Sequence, residues 1–140
     1  MQVKDGMTDV TLTIGPGHTL REAARLMAKR EVGAAIVIDP EEPGPGIITE
    51  RDLLRSLAAG EDPDVERVCD HLSPQLTFAA PDWSLERAAM TMMRGGFRHL
   101  VVVDRGELAG VLSMRDIVRC WTSDGATSEV TAPEAGAALA

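Results

Sequence analysis

A heptapeptide that occurs twice limits what this chain can become. Gly46-Ile47-Ile48-Thr49-Glu50-Arg51-Asp52 returns 64 residues later as Gly110-Val111-Leu112-Ser113-Met114-Arg115-Asp116. Each copy runs glycine, two apolar residues, a hydroxyl residue, then an aspartate three positions after the hydroxyl. The apolar pair reads as the end of a buried strand, and the hydroxyl residue as the N-cap of a helix. On that reading hydroxyl and carboxylate share a first helical turn just beyond a strand end.

The repetition extends well upstream. At an offset of 65, Pro16 matches Pro81, Thr19 matches Ser84, Leu20 matches Leu85, Met27 matches Met92 and Asp39 matches Asp104. Residues 10–14 alternate as a short strand stopped by Gly15-Pro16-Gly17. Thr19-Leu20-Arg21-Glu22 has capping-box spacing and opens an amphipathic helix over Leu20, Ala23, Ala24 and Met27. The apolar run 34–38 predicts a fully buried strand, the Pro- and Gly-rich stretch 39–46 a turn, and 50–59 a second helix. Each copy therefore reads strand, helix, strand, strand, helix, and is too small to bury its own sheet and helices. The expected fold is α+β and sandwich-like: two βαββα units packed sheet to sheet about a pseudo-twofold axis. The expected boundaries are 1–60 for the first unit, 61–121 for linker and second unit, and 122–140 for a disordered Ala-, Gly- and Thr-rich tail.

Totals exclude several classes. A net charge of −8 opposes a phosphate backbone and argues against general nucleic-acid binding. No apolar run is long enough to cross a membrane, so no membrane partner is expected. The N-terminus Met1-Gln2-Val3-Lys4-Asp5 lacks the apolar core of a secretory signal, which makes cytoplasmic the expected location. Cys69 and Cys120 form no framework and read as reduced thiols. Cys69-Asp70-His71 lacks a second ligand pair and is not a zinc motif, so no metal is expected.

Two tandem βαββα units, each with its upstream proline, its helical stripe, an apolar strand ending in aspartate and the closing heptapeptide, resemble a pair of cystathionine-β-synthase (CBS) domains, a Bateman module. The likeness covers residues 1–121. It implies a stand-alone regulatory module that binds an adenine nucleotide (AMP, ADP or ATP) or S-adenosylmethionine, forms a homodimer and answers to an unidentified protein partner. No catalytic cofactor is implied. Carried over by position, the resemblance implies one cleft from Ile47, Thr49 and Asp52 with Thr77, Phe97, Arg98 and His99. It implies a second from Val111, Ser113 and Asp116 with Leu12, Val32, Gly33 and Ala34. Arg98 and His99 match positions where some nucleotide-sensing members place a basic pair for phosphate, in the opposite order. The first cleft is therefore expected to favour a phosphorylated nucleoside, and the second to be weaker or to prefer a less anionic ligand.

Plainer readings stand beside these. Thr49 with Asp52, and Ser113 with Asp116, serve equally as caps with an acidic residue at N3. Met27, Met90 and Met93 read as core and helix packing, and Trp83 and Trp121 as residues of a dimer or inter-repeat seam. A constitutive dimerisation scaffold with vestigial clefts is the alternative function. An enzyme ranks third, because His18, His71 and His99 have no partner evident from spacing.

Overall fold

The computed structural model describes residues 1–9, 11–74 and 76–123. Its contacts divide the chain into two bodies, Val10–Leu76 and Met1–Asp9 joined with the chain from Thr77 onward. The mixed α+β character and the strand-helix-strand-strand-helix order hold in both.

In the first body β1 (Thr13–Ile14) pairs parallel with β2 (Ala34–Val37), which pairs antiparallel with β3 (Gly46–Thr49). Helix α2 (Leu20–Arg30) buries Leu20, Ala23 and Met27 against Ala35, Val37 and Ile48. The spacing of three and four residues makes that one stripe, and alternation along the strand brings every second side chain to meet it. Ile36 and Ile47, paired across the sheet, point the other way and are buried too. Both sheet faces are therefore covered, as a continuous apolar run requires. Helix α3 (Glu50–Ala58) follows directly on β3.

The second body repeats this register. Strand β4 (Phe78–Ala79) runs parallel to β5 (His99–Asp104), which is antiparallel to β6 (Glu107–Ser113), with α4 (Leu85–Gly95) between β4 and β5 and α5 (Met114–Ser123) after β6. Ala34 faces Thr49 in one sheet, and His99 faces Ser113 in the other. Only the second hairpin is tight: Arg105 and Gly106 both have positive φ and turn the chain in two residues. The first has Pro40, Pro43 and Pro45 between its strands, each without a backbone donor, and its pairing stops short.

The division of contacts differs from the sequence boundaries in an instructive way. Met1–Asp9 falls within the expected first unit yet packs on the second body. Its short helix α1 (Val3–Gly6) buries Val3 among Leu85, Ala88 and Leu112. The Val3 amide donates to Trp83 O, the Lys4 amide to Pro81 O and the Leu85 amide to Met1 O, while Thr8 and Val111 exchange two backbone bonds. Residues 66–73 do the same for the first repeat. There the Val68 amide donates to His18 O, Cys69 to Pro16 O, Leu20 to Glu66 O and Ser73 to Ile47 O. Every pair is the counterpart of the other at offsets of 65 and 64, and Val68 is fully buried as Val3 is. Each repeat thus lends its leading segment to the other body. Both loans satisfy the otherwise open first-turn amides of a helix.

Helix α5 runs through Thr122 and Ser123, the first two residues of the expected tail, and the Thr122 hydroxyl donates back to the carbonyls of Val118 and Arg119. Residues 124–140 lie outside the described residues. Of the methionines expected in the core, Met27 is there, but Met90 and Met93 are exposed and Met92 is the buried one. Their neighbours on α4 take the core face one turn apart, leaving these two outward. Trp83 and Trp121 pack partly buried on the core of their own body, and the Arg87 guanidinium stacks 3.7 Å above the Trp83 ring. Both cysteines are free thiols, Cys69 exposed and Cys120 buried. Among the described residues no helix is long and apolar enough to cross a membrane.

Candidate functional site

The two copies of the heptapeptide build the same turn. At the start of α3 the Asp52 amide donates to Thr49 Oγ1 (3.4 Å). In return Asp52 Oδ2 accepts from the Thr49 amide (2.7 Å) and from the Thr49 hydroxyl (2.9 Å). At the start of α5 the Asp116 amide donates to Ser113 Oγ (3.1 Å) and Asp116 Oδ2 accepts from the Ser113 amide (2.8 Å). Both are reciprocal capping boxes, so the capping role read from the sequence is real. Both aspartates are 7% exposed, unusual for a carboxylate on a first helical turn.

The second carboxylate oxygen separates them. Asp116 Oδ1 accepts from Arg119 Nη1 at 2.8 Å, and Nη2 of the same guanidinium reaches the Gly6 carbonyl at 3.4 Å. Arg55 is the counterpart of Arg119, one turn after Asp52. Among the described residues no ion pair joins Arg55 to Asp52, and the hydrogen bonds that Asp52 accepts both fall on Oδ2. The counterpart of Gly6 is His71, whose Nε2 lies 2.7 Å from Glu66 Oε1 and 3.8 Å from Glu61 Oε1. Glu61 in turn accepts from the hydroxyl of buried Ser56 at 2.7 Å, which ties the end of α3 to the following loop. Glu61, Glu66 and His71 thus form a group that could offer ligand atoms to a cation, one that reading Cys69-Asp70-His71 alone does not find.

The remaining expected residues fall as follows. In the first body Ile47 is buried on β3 with Thr49 and Asp52 following it. Leu12 is buried, and its carbonyl accepts from Ile36. Val32, Gly33 and Ala34 lead into β2, Val32 half-buried on the core and Gly33 O accepting from the Glu50 amide. Ala34 then faces Thr49 across the sheet. In the second body Thr77 O accepts from the Val101 amide, and Phe97 packs on the core beside Gly95, where a Cβ would meet the ring at 2.0 Å. Arg98 is exposed with its carbonyl taking the Met114 amide, and His99 is half-buried opposite Ser113. Val111 is paired with Val101 and with Thr8. Each body therefore gathers its own heptapeptide and the residues leading into its own long strand at one sheet end. The sequence reading assigned no role to Arg119 or Gly6. The signal was present, since Arg55 and Arg119 match at the heptapeptide offset, and Val3-Lys4-Asp5 matches Val68-Cys69-Asp70 at an offset of 65.

Comparison with known proteins follows the same division. The CBS domain family matches residues 2–59 and again 65–122. A CBS domain-containing protein of Bacillus subtilis, YhcV, is 35% identical over 131 residues, covering 92% of each chain. Other curated relatives are longer, and the chain spans 44% and 23% of two of them. Among solved structures, a hexameric CBS-CP12 protein from bloom-forming cyanobacteria superposes with a TM-score of 0.79 at 28% identity, over 90% of this chain and 73% of that one. The CBS domain protein PAE2072 of Pyrobaculum aerophilum, solved in complex with AMP, has a TM-score of 0.73 at 30% identity, over 88% of this chain and 99% of that one. With a doubled register, a doubled capping turn and a doubled family match, this chain belongs to the CBS domain family and carries the domain twice.

Proposed function

We propose that the chain is a regulatory module that binds an adenine nucleotide at the Asp52 motif and transmits occupancy to a partner as a change of shape. The observation that carries this reading is the state of Asp52. It is a buried carboxylate whose cap bonds use Oδ2, and among the described residues no ion pair joins it to Arg55, the counterpart of Arg119. A ribose offers two vicinal hydroxyl donors, and a fixed, desolvated carboxylate accepts from them in charge-assisted bonds. Thr49 adds a hydroxyl, Ile47 an apolar contact, and the α3 N-terminus favours an anion. Thr77, Phe97, Arg98 and His99, in the second body, are proposed as ligand-binding residues in their own right, Arg98 and His99 for phosphate. Asp116, Ser113 and Val111 are proposed as a site that is weaker or prefers a less anionic ligand, and Leu12, Val32, Gly33 and Ala34, in the first body, as further ligand-binding residues. The AMP-bound relative supports the ligand class.

The module binds without turning its ligand over, since the hydroxyl and carboxylate of each motif are already engaged with each other as a cap. Leu54 and Leu57 on α3 are exposed apolar residues suited to a second copy of the chain, and we propose a homo-oligomer. Whatever the partner, the shift cannot exceed the ligand's differential affinity for the two shapes.

Isothermal titration of the chain with AMP, ADP, ATP and S-adenosylmethionine tests the reading. Saturable binding by one of the nucleotides, lost in Asp52→Ala, is expected. A double-mutant cycle of Asp52→Ala with Arg98→Ala then asks whether the two act on one ligand, in which case their effects are not additive. Ligand at 100 times its dissociation constant should add about 2.7 kcal/mol of stability. Absence of both binding and stabilisation would turn the reading to a constitutive scaffold.

A further inference from the structure

The Asp116 turn differs from the Asp52 turn in the pairing of one arginine, and that arginine is tied to a distant part of the chain. Arg119 donates one branch of its fork to Asp116 Oδ1 at 2.8 Å and reaches the Gly6 carbonyl with the other at 3.4 Å. Oδ2 already serves the cap, accepting from the Ser113 amide. Both oxygens of Asp116 are therefore committed within its own body. A sugar diol approaching this carboxylate meets an acceptor whose charge is already paired and competes with the guanidinium for Oδ1.

We propose that Arg119 is a built-in competitor for the ligand of the second repeat, setting its affinity and joining its occupancy to the hold on the N-terminal segment. A ligand that takes Asp116 Oδ1 releases Arg119, and with it one of the contacts that keep Gly6 in place. The first repeat lacks the device. Position 71 carries a histidine turned toward Glu61 and Glu66, and Arg55 makes no ion pair with Asp52 among the described residues. The inference rests on the reading that the motif aspartates accept from a ribose.

Arg119 has a side chain 57% exposed, so Arg119→Met keeps the apolar stem and removes the charge at little cost to folding. Because exposure on one side weakens the pair, the competing effect is modest, on the order of fivefold in affinity. Adenosine is the suitable titrant, since it carries the diol without a phosphate. Titrated into the full chain, Arg119→Met should show a binding event about fivefold or more tighter than the Asp116 site of the unaltered chain. Adding Asp116→Asn should abolish it. A structural role alone would weaken binding on substitution and could not strengthen it. The proposal is overturned if Arg119→Met binds adenosine no better, or if the gained event survives Asp116→Asn. Failure of the nucleotide reading at Asp52 looks different: the unaltered chain would show no event sensitive to Asp52→Ala, while a gain in Arg119→Met would still stand.

Discussion

Asp52 and Arg55 stand three residues apart on α3 and make no ion pair among the described residues, whereas Asp116 and Arg119 stand three apart on α5 and do. The local sequences, Thr-Glu-Arg-Asp-Leu-Leu-Arg and Ser-Met-Arg-Asp-Ile-Val-Arg, carry the hydroxyl, the aspartate and both arginines at the same spacing and differ in charge only at Glu50 against Met114. The difference comes from the borrowed leading segment. In the second body it presents the bare carbonyl of Gly6 close to α5, so close that a Cβ there would meet Cys120 Sγ at 2.8 Å. In the first body the same place holds His71, which engages acidic residues instead, and Ser56 stands where Cys120 does. A repeat thus reproduces backbone faithfully while one substitution redirects an ion pair.

The largest effects should come from the exchanged segments. Val3→Ala and Val68→Ala each empty a fully buried site, and each should cost about 2 kcal/mol. The informative result is where the loss falls. Hydrogen exchange should show Val3→Ala loosening α4 and β6, far from it in sequence, while β1 to β3 stay protected. Loss in the first body instead would break the exchange of segments. Gly6→Ala comes next, with an expected cost of about 1–3 kcal/mol from overpacking against Cys120, and Cys120→Ala in the same chain should recover part of it in chemical denaturation.

Ligand affinity gives the middle scale. Asp52→Ala should weaken AMP binding tenfold or more, as loss of charge-assisted bonds does, and Asp116→Ala less than threefold. Equal effects would mean that the arginine pairing has no bearing on the ligand.

Smaller differences sharpen the comparison of α2 with α4. Helix α2 ends on Glu31 in the left-handed region (φ 56°), where α4 ends on Gly96 (φ 73°). Replacing Glu31 by glycine should therefore stabilise the first body by up to about 1 kcal/mol, measurable by denaturation. At the other end, Thr19 and Glu22 form a complete capping box, whereas Ser84 faces Arg87 and caps alone. The Thr19 amide holds the Glu22 carboxyl below its ordinary value. A group lowered in this way contributes stability that is present above its unfolded value and is lost as pH falls through the folded one. Glu22→Gln should accordingly flatten the acid limb of the stability profile, and Ser84→Ala should leave that limb unchanged.

Much of this was legible in the chain. The heptapeptides, the capping turns at Thr19, Thr49 and Ser113, the helical stripe through Ala23 and Met27, and the apolar strands at Ala34 and Leu100 depend on neighbours within a few residues. Their side-chain periods and caps are local physics, so spacing alone determined them, and their repetition pointed to the family. The exchange of leading segments, the burial of Val3, the outward turn of Met90 and Met93 and the clamp of Arg119 on Asp116 and Gly6 were decided only by the tertiary structure. Each joins groups far apart in sequence, or depends on which neighbour fills the space beside them. In the clamp, 113 residues separate the arginine from the carbonyl that helps hold it. The spacing of Arg55 from Asp52 is that of Arg119 from Asp116, and what differs beside each helix is the packed segment, His71 against Gly6.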